Sequence, residues 1–314
     1  SRTSSAIFKY ISILKKKEGM IYMKKFKKII PLVVIATLAL GLFAGCKSES
    51  TDTSAKNSNE TNSKSTIEEI KERGKIRIGV FGDKNPFGYV DENGVNQGFD
   101  VYIARRFAKD LLGDESKAEF VLVDAASRVA YLESNKVDII MANFTVTEER
   151  KQKVDFANPY MKVSLGIVST ESAPITSVEQ LKGKKAIVAK GTTAETYLTK
   201  NYPEIEQLKF EQYTEIFEAL KDGRGDAIVN DNTEVIAWAK QNPGFIVGVT
   251  SLGGQDTIAP AVKKGNKELL DWINDELAEL GKEKFISKAY DETLAHVYGD
   301  EYKESLVIEG GKLE

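Results

Sequence analysis

A unit that occurs twice in the chain places polar side chains directly after apolar strands. Residues 132–140 (LESNKVDII) match residues 220–228 (LKDGRGDAI) at an offset of 88 positions. Extending both copies pairs the polar residues that follow, Asn143 with Asp231 and Thr145 with Thr233. Open α/β sheets bind ligands at the carboxyl ends of their strands, so these side chains could form a ligand site. The alternative is that two ordinary helix–strand units match by coincidence.

Two charged side chains near these segments could hold a ligand that carries charges of both signs. The planar guanidinium of Arg150 can bind both oxygens of a carboxylate, which the point charge of a lysine cannot do. Arg150 also fits an exposed helix, because it lies in the charged run EERK at 148–151. Asp231 could accept hydrogen bonds from a cation, or it could cap the helix that follows its strand. The residues alone leave these alternatives open.

The composition excludes several other kinds of chemistry. The chain has 314 residues, 41% hydrophobic and 29% charged, which is enough for two folded domains of typical size. One cysteine and one histidine exclude a disulfide framework and Cys-rich or His-rich metal clusters. The net charge of −3 argues against nucleic-acid binding. Residues 1–46 contain nine Lys and Arg but one Glu, so the rest of the chain has a net charge of −11.

Residues 23–46 have the features of a secretion signal. From Met23, four lysines precede an apolar run over residues 29–45, and Cys46 follows Phe43-Ala44-Gly45. This order resembles a bacterial lipoprotein signal, although Phe43 stands where leucine is usual. We therefore expect a signal peptide over residues 23–45 and diacylation of Cys46, which would anchor the protein to the outside of the bacterial cell membrane. A membrane span is the alternative, but at about 1.5 Å per residue the run falls short of the ~30 Å hydrocarbon core.

Two further segments flank this signal. Residues 1–22 precede the start at Met23 and are predicted to be a misassigned upstream segment. Residues 46–65 contain no large apolar side chain after the cysteine. Such a segment cannot bury enough surface to offset the entropy of ordering, so we expect it to form a disordered tether.

From residue 66 onward, short strands alternate with amphipathic helices. The alternating run 75–81 (KIRIGVF) predicts a strand, and Asn93-Gly94 predicts a hairpin turn. Residues 101–112 place their apolar side chains on one helical face. Further strands are predicted at 186–189 and 227–229, and further helices at 232–241 and 267–280. This order of elements predicts the α/β class.

Several ordered motifs over about residues 67–308 resemble family 3 of the solute-binding proteins, the polar amino-acid receptors of ABC importers. The motifs are IRIGV at 76–80, PFGY at 86–89, GFDV at 98–101, NFTVTEER at 143–150, VDF at 154–156, KGTT at 190–193 and Asn230-Asp231. Within the family, GVFGDKNPFGYVD at 79–91, ANFTVTEER at 142–150 and IAPAVKKG at 258–265 are most similar to the cysteine-binding receptors.

The resemblance implies a two-lobed α/β fold of the periplasmic-binding-protein type (type II), with the ligand sealed between lobes that two crossing strands join. The crossing strands would lie near residues 160–165 and 253–257. Lobe 1 would comprise residues 66–160 and 257–314, and lobe 2 residues 164–252. The resemblance further implies a monomer without cofactor, metal or enzymatic activity. Such a protein captures a free amino acid, L-cysteine above all, and delivers it to the membrane permease of an ABC importer.

The same resemblance assigns roles to individual residues. Arg150 would bind the α-carboxylate of the ligand with Thr145 as a second donor, and Asp231 would accept the α-ammonium. The backbone carbonyl of Asn143 would contact the same ammonium, and the helix after KGTT would bring Thr193 to the cleft. The remaining pocket-lining candidates are Arg128, Tyr160, Phe81, Asp83 and Phe87. For Arg128 the alternative is a solvated helix position, and for Asp83 it is a turn.

Other functions remain possible on this fold. Cyclohexadienyl dehydratases and the binding half of some murein lytic enzymes share it, and a dehydratase would need a general acid in the cleft. Glu195 and Asp83 are the spare acids that could serve. A sensor or an adhesin is a further alternative. The choice of cysteine over aspartate, glutamine or glycine rests on overall likeness, because no thiol-specific group can be recognised in the sequence.

Overall fold

The computed structural model describes residues 66–313. The upstream segment, the signal peptide, Cys46 and the tether predicted above lie outside this range. Within residues 66–313, no helix is both long enough and apolar enough to cross a bilayer.

Residues 66–156 alternate short strands with helices, as their apolar periodicity predicts. The elements are α1 (Thr66–Arg73), β1 (Ile76–Val80), β2 (Asp83–Lys84), β3 (Gly88–Val90), β4 (Asn96–Gln97), α2 (Phe99–Leu112), β5 (Ala118–Leu122), α3 (Arg128–Glu133), β6 (Ile139–Ile140), α4 (Glu148–Lys151) and β7 (Val154–Phe156). The Asn93-Gly94 turn lies between β3 and β4, which pair antiparallel. Helix α2 is capped after Leu112 by Gly113, whose left-handed φ of 81° favours glycine.

The rest of the described chain contains two long strands and a C-terminal group of helices. The elements are β8 (Met161–Thr170), β9 (Lys185–Ala189), α5 (Thr193–Asn201), β10 (Glu206–Phe210), α6 (Tyr213–Lys221), β11 (Ala227–Asp231), α7 (Asn232–Gln241), β12 (Phe245–Ile258), β13 (Ala261–Lys263), α8 (Lys267–Lys282), α9 (Phe285–Thr293), α10 (Ala295–Tyr298) and α11 (Lys303–Leu306).

Two five-stranded sheets organise the structure, with strand orders β5-β1-β6-β13-β7 and β10-β9-β11-β8-β12. In each sheet one inner strand has parallel neighbours on both sides: β1 pairs with β5 and β6, and β9 pairs with β10 and β11. The inner strands are almost wholly buried, as expected where helices cover both faces of a parallel sheet. We call the part built on the first sheet lobe 1 and the part built on the second sheet lobe 2.

Strands β8 and β12 link the two sheets. They pair antiparallel from Met161 opposite Ile258 to Thr170 opposite Phe245. Strand β8 follows β7 of the first sheet, and β12 is followed by β13 of the same sheet, so the chain passes between the lobes twice. The predicted α/β class with two lobes and two crossing strands is therefore confirmed. The exact lobe boundaries, 66–160 with 257–314 and 164–252, stay a prediction.

Candidate functional site

Arg128 is a buried arginine at the first residue of α3. Its guanidinium donates to the backbone carbonyls of Ala125 (3.0 Å), Ala142 (3.0 Å) and Gly191 (3.3 Å). Because only 3% of the residue is exposed, the solvated helix position considered from the sequence is wrong for Arg128. Burial lowers the pKa of this guanidinium below its usual value. Gly191 lies in lobe 2, so Arg128 connects the two lobes.

Arg150 reaches the same carbonyl from α4. Its Nη1 donates to the carbonyl of Thr145 at 2.7 Å, and its Nη2 donates to the carbonyl of Gly191 at 2.9 Å. The guanidinium carbon lies 4.7 Å from the centroid of the Phe144 ring, within range of a cation–π interaction. Burial lowers the pKa of Arg150 to about 9, and the positive charge of Arg128 acts in the same direction. Two guanidinium groups therefore meet at one carbonyl between the lobes.

Asp231 ends strand β11 and forms an ion pair with a residue of lobe 1. Its Oδ2 lies 2.6 Å from the Nζ of Lys84, and both residues are buried. Asp231 occupies the N-cap position of α7, but its side chain makes no capping hydrogen bond. The Nζ of Lys84 also donates to the Oδ1 of Asn143 at 2.8 Å. The capping alternative is therefore wrong for the Asp231 side chain, which instead faces lobe 1.

Lys84 keeps its charge although it is fully buried. Burial has the largest single effect and lowers the pKa of Lys84, but the charge and hydrogen bond of Asp231 together with the nearby Tyr213 and Glu234 raise it by more in total. The pKa of Lys84 therefore lies above the usual lysine value. The Nζ also lies 4.7 Å from the centroid of the Tyr213 ring, which favours the cation further.

Asn143 is held in place by a buried carboxyl group of lobe 1. Its φ of 44° is left-handed, a conformation that asparagine tolerates better than most residues. The backbone N–H of Asn143 donates to Asp100 Oδ2 at 2.7 Å, and the hydroxyl of Tyr160 donates to Asp100 Oδ1 at 2.7 Å. Tyr160 is fully buried in the core of lobe 1, so the structure places it behind the site.

The remaining candidates from the β1–β3 region lie at the contact between the lobes. The carboxylate of Asp83 accepts hydrogen bonds from the backbone N–H groups of Tyr213 (2.7 Å) and Thr214 (3.2 Å), at the start of α6 in lobe 2. Burial raises the pKa of Asp83. Phe81 and Phe87 are buried, with ring centroids 5.5 and 5.9 Å from the Nζ of Lys84. Asp83 thus contacts the opposite lobe, unlike a simple turn residue.

A cavity of about 430 Å³ opens beside Arg150. Arg150, Phe144, Gly191 and Thr193 contribute to its wall, whereas Lys84 and Asp231 do not. Thr193 is the first residue of α5, and the preceding Thr192 accepts a hydrogen bond from the backbone N–H of Glu195 as the N-cap. The start of this helix therefore faces the cavity, together with the guanidinium of Arg150.

Arg150 and Asp231 lie at the two ends of one polar chain of contacts. Arg150 and Arg128 share the Gly191 carbonyl, Arg128 donates to the Asn143 carbonyl at 3.3 Å, and Asn143 contacts Lys84, which pairs with Asp231. We call the five residues Arg150, Arg128, Asn143, Lys84 and Asp231 the interlobe network. Thr145 belongs to the same region, since it is buried and its carbonyl accepts from Arg150. The network offers cationic donors at one end and a carboxylate at the other.

Within residues 66–313, no group of three or more His, Cys, Asp or Glu side chains is placed to hold a metal ion.

Comparison with known proteins identifies the class to which this fold and site belong. Residues 76–295 match the model for "Bacterial extracellular solute-binding proteins, family 3", and the chain belongs to this family. The resemblance found in the sequence is thereby confirmed, and the chain is an extracytoplasmic solute-binding protein by family.

Solved structures and relatives show which members of the family are similar. The L-cysteine solute receptor of Neisseria gonorrhoeae is 57% identical over 78% of this chain and 100% of its own, with a TM-score of 0.77. The cysteine-binding protein of Campylobacter jejuni is 55% identical over 78% of this chain and 99% of its own, also with a TM-score of 0.77. An ABC transporter glutamine-binding protein of Bacillus subtilis is 37% identical over 81% of this chain and 92% of its own. All three are named as binding proteins of amino acids.

Sequence reasoning missed two residues that hold the network together. Lys84 lies inside the motif GVFGDKNPFGYVD, and Asp100 lies inside GFDV. The sequence predicts an exposed side chain for a lysine between a turn and a proline, whereas Lys84 is completely buried in the structure. For Asp100 the sequence did offer a clue, because an aspartate at the start of an apolar helix is expected to have a hydrogen-bond partner.

Proposed function

We propose that this protein captures a free amino acid between its lobes and delivers it to the permease of an ABC importer. The observation that supports the proposal is the interlobe network, with the guanidinium of Arg150 from lobe 1 at one end and the carboxylate of Asp231 from lobe 2 at the other. Membership of the solute-binding family and the names of its similar members support the same ligand class.

The proposal gives each charge of the ligand a partner. A buried ion without a partner costs several kcal/mol, so the α-carboxylate and the α-ammonium must both be paired. Arg150 has the planar donor geometry for the carboxylate, with Thr145 and the start of α5 at Thr193 as further donors. Asp231 and the carbonyl of Asn143 would accept from the ammonium. Because these residues come from both lobes, the ligand would stabilise the closed state and shift the hinge equilibrium towards it.

L-Cysteine is the ligand that we propose, with glutamine as the second candidate. Two solved structures at 55% and 57% identity are named for cysteine, whereas the relative at 37% identity is named for glutamine. The higher identity favours cysteine. We also propose that diacylation of Cys46 anchors the protein to the outer face of the cell membrane, because acyl chains contribute ~0.8 kcal/mol per buried CH₂.

Isothermal titration of the purified protein with free amino acids tests the proposal. We expect binding of L-cysteine, and a loss of at least about 30-fold in affinity for Arg150→Gln and Asp231→Asn, since each removes one partner of a buried charge. Lys151→Gln is the matched control, because Lys151 neighbours Arg150 in α4 but is exposed and paired with Glu148. A protein that binds neither cysteine, cystine nor any polar amino acid would contradict the proposal. Turnover of prephenate or arogenate would instead support the dehydratase alternative.

A further inference from the structure

The strands β8 and β12, which link the lobes, have a cavity on each of their two faces. In β8, Ser164 lines a pocket of about 260 Å³, whereas the next residue, Leu165, lines the cavity beside Arg150. In β12, Gln255 and the adjacent Asp256 line the same two spaces in the same order. Because successive side chains of a strand point to opposite faces, the two spaces lie on opposite sides of the linking strands. We call the smaller one the rear pocket.

Both lobes form walls of the rear pocket. Thr233 lines it from α7 of lobe 2, and Tyr298 and Leu306 line it from C-terminal helices whose side chains pack in the core of lobe 1. The lobes also touch beside the pocket, where the buried hydroxyl of Tyr298 donates to the carbonyl of Thr233 at 2.5 Å and the Nζ of Lys240 donates to the carbonyl of Tyr298 at 3.3 Å. The shape of the rear pocket therefore depends on the angle between the lobes.

On the other side of the linking strands, the lobes are in direct contact. Arg150 of lobe 1 donates to the carbonyl of Gly191 in lobe 2, and both residues line the larger cavity. Asp83 of lobe 1 also accepts from the backbone N–H of Tyr213 in lobe 2. The cleft is therefore closed. In a hinge movement the lobes rotate about the segments that join them, so a rotation that opens the cleft brings the walls of the rear pocket together.

We propose that the rear pocket is the space into which the lobes rotate when the cleft opens, so that its free volume sets the balance between the open and closed states. The link to affinity rests on the proposed function, in which the amino acid binds the closed state. A larger side chain in the rear pocket fits the closed state but clashes when the walls approach each other, and only such a difference between two states shifts their equilibrium. A protein that is closed more often binds its ligand more tightly, because the apparent dissociation constant falls as the binding-competent fraction rises. The rear pocket thus regulates the amino-acid site from the opposite side of the linking strands.

Filling the rear pocket with a larger side chain tests the inference. Ser305 of α11 and Gln255 of β12 are exposed residues that line the pocket from different elements. We expect Ser305→Trp and Gln255→Trp to bind the amino acid that the wild type binds, L-cysteine or glutamine, at least about threefold more tightly in isothermal titration. X-ray scattering should give both ligand-free variants a smaller radius of gyration than the ligand-free wild type. Glu304→Trp is the matched control and should behave as wild type, because Glu304 is an exposed neighbour of Ser305 that lines a different pocket.

The outcomes distinguish this inference from the proposed function. The inference is overturned if the affinity of both tryptophan variants stays at or falls below the wild-type value, if their radius of gyration does not change, or if Glu304→Trp gains as much affinity as they do. Circular dichroism checks folding, and because the two substitutions lie on different elements, either variant can decide the question without the other. A protein that binds no amino acid overturns the proposed function, and scattering from the ligand-free variants then decides the inference alone.

Discussion

Lobe 1 and lobe 2 repeat one helix–strand unit, including an aspartate that fixes a neighbouring strand. In lobe 1, Asp138 Oδ2 accepts from the backbone N–H of Arg77 at 2.7 Å, and the N–H of Asp138 donates to the Arg77 carbonyl at 2.8 Å. In lobe 2, Asp226 makes the same two contacts with Lys185 at the same distances. The match found in the sequence thus reflects the same local structure in both lobes, which the coincidence alternative does not explain.

The lobes differ in how they hold the polar residues that follow this unit. In lobe 1, the backbone of Asn143 is fixed by Asp100, a residue of the same lobe. In lobe 2, the ion-pair partner of Asp231 comes from lobe 1. The backbone of Asn143 is therefore held within lobe 1, whereas the carboxylate of Asp231 is held by a cation from across the cleft.

Asp231→Asn should produce the largest effect on stability. The substitution leaves the Lys84 ammonium buried without a compensating charge, which costs about 3–5 kcal/mol. The double variant Lys84→Met/Asp231→Asn should be more stable than Asp231→Asn alone, because no unpaired charge then remains. Urea unfolding measures both, with Asp222→Asn, an exposed aspartate of lobe 2, as the control. Equal stability of the single and the double variant would show that the unpaired Lys84 ammonium is not the cause of the loss of stability in Asp231→Asn.

The next largest effect is the pH dependence of stability that a buried carboxyl group in each lobe should cause. Burial raises the pKa of Asp100 in lobe 1 to about 7, against hydrogen bonds from Tyr160 and Asn143 that lower it. Burial also raises the pKa of Glu234 in lobe 2 to about 8. A folded state with a raised carboxyl pKa binds the proton more tightly than the unfolded chain. Each group therefore contributes stability at low pH that is lost as the pH rises from about 4 to its folded pKa.

Variants of these two groups should change the pH profile in different windows. In the wild type, each carboxyl group lowers the free energy of unfolding by at most about 1.4 kcal/mol per pH unit as the pH rises. Asp100→Asn should abolish its share of this decrease between pH ~4 and ~7, and Glu234→Gln should abolish its share between pH ~4 and ~8. Equilibrium unfolding over this pH range measures both slopes. Between pH 7 and 8 only Glu234→Gln should differ in slope from wild type. Identical profiles for wild type and both variants would exclude these carboxyl groups as the source of the pH dependence.

Asp138 and Asp226, the equivalent aspartates of the repeated unit, should contribute unequally to the free energy of unfolding, and this difference is smaller than the effects above. The side chain of Asp138 is 7% exposed and also binds the guanidinium groups of Arg73 and Arg77, whereas that of Asp226 is 41% exposed. Asp138→Ala should cost about 1.5–3 kcal/mol and Asp226→Ala about 0.5–1.5 kcal/mol in urea unfolding. If both substitutions cost the same, the stabilisation comes from the backbone contacts that both aspartates make, and the ion pairs of Asp138 with Arg73 and Arg77 add nothing to it.

Local patterns predicted most of the fold but only part of the site. The strand β1, the Asn93-Gly94 turn and helix α2 follow from periodicity and turn chemistry, which act within a few residues. Lys84 could not be predicted in this way, because its charge is stabilised by Asp231, 147 residues further along the chain. Tyr160 was expected to line the pocket, but its hydroxyl points to Asp100 in the core. The direction of that side chain depends on a partner 60 residues away, which no local pattern reveals.

The smallest effect concerns the threonines that cap one helix on each side of the cleft. Thr147 of lobe 1 accepts from the backbone N–H of Arg150 at 3.2 Å, and Thr192 of lobe 2 accepts from Glu195 at 3.3 Å and donates to the Ala189 carbonyl. Loss of an N-cap costs about 1 kcal/mol, so Thr192→Ala should lower stability by about that amount. Thr147→Ala should affect stability less, because α4 has only four residues. It should nevertheless weaken ligand binding, because the backbone of Arg150 loses the hydrogen bond that helps to fix its position.

Unfolding and titration of both cap variants separate these two roles. Thr147→Ser and Thr192→Ser keep the capping hydroxyl and are the matched controls, which should behave as wild type in both measurements. If Thr147→Ala leaves the affinity for the amino acid unchanged, the position of Arg150 does not depend on its cap. It would then be set by the carbonyls of Thr145 and Gly191 alone. Gly191 belongs to lobe 2, so lobe 2 helps to place the arginine of lobe 1 just as Lys84 of lobe 1 holds Asp231 of lobe 2.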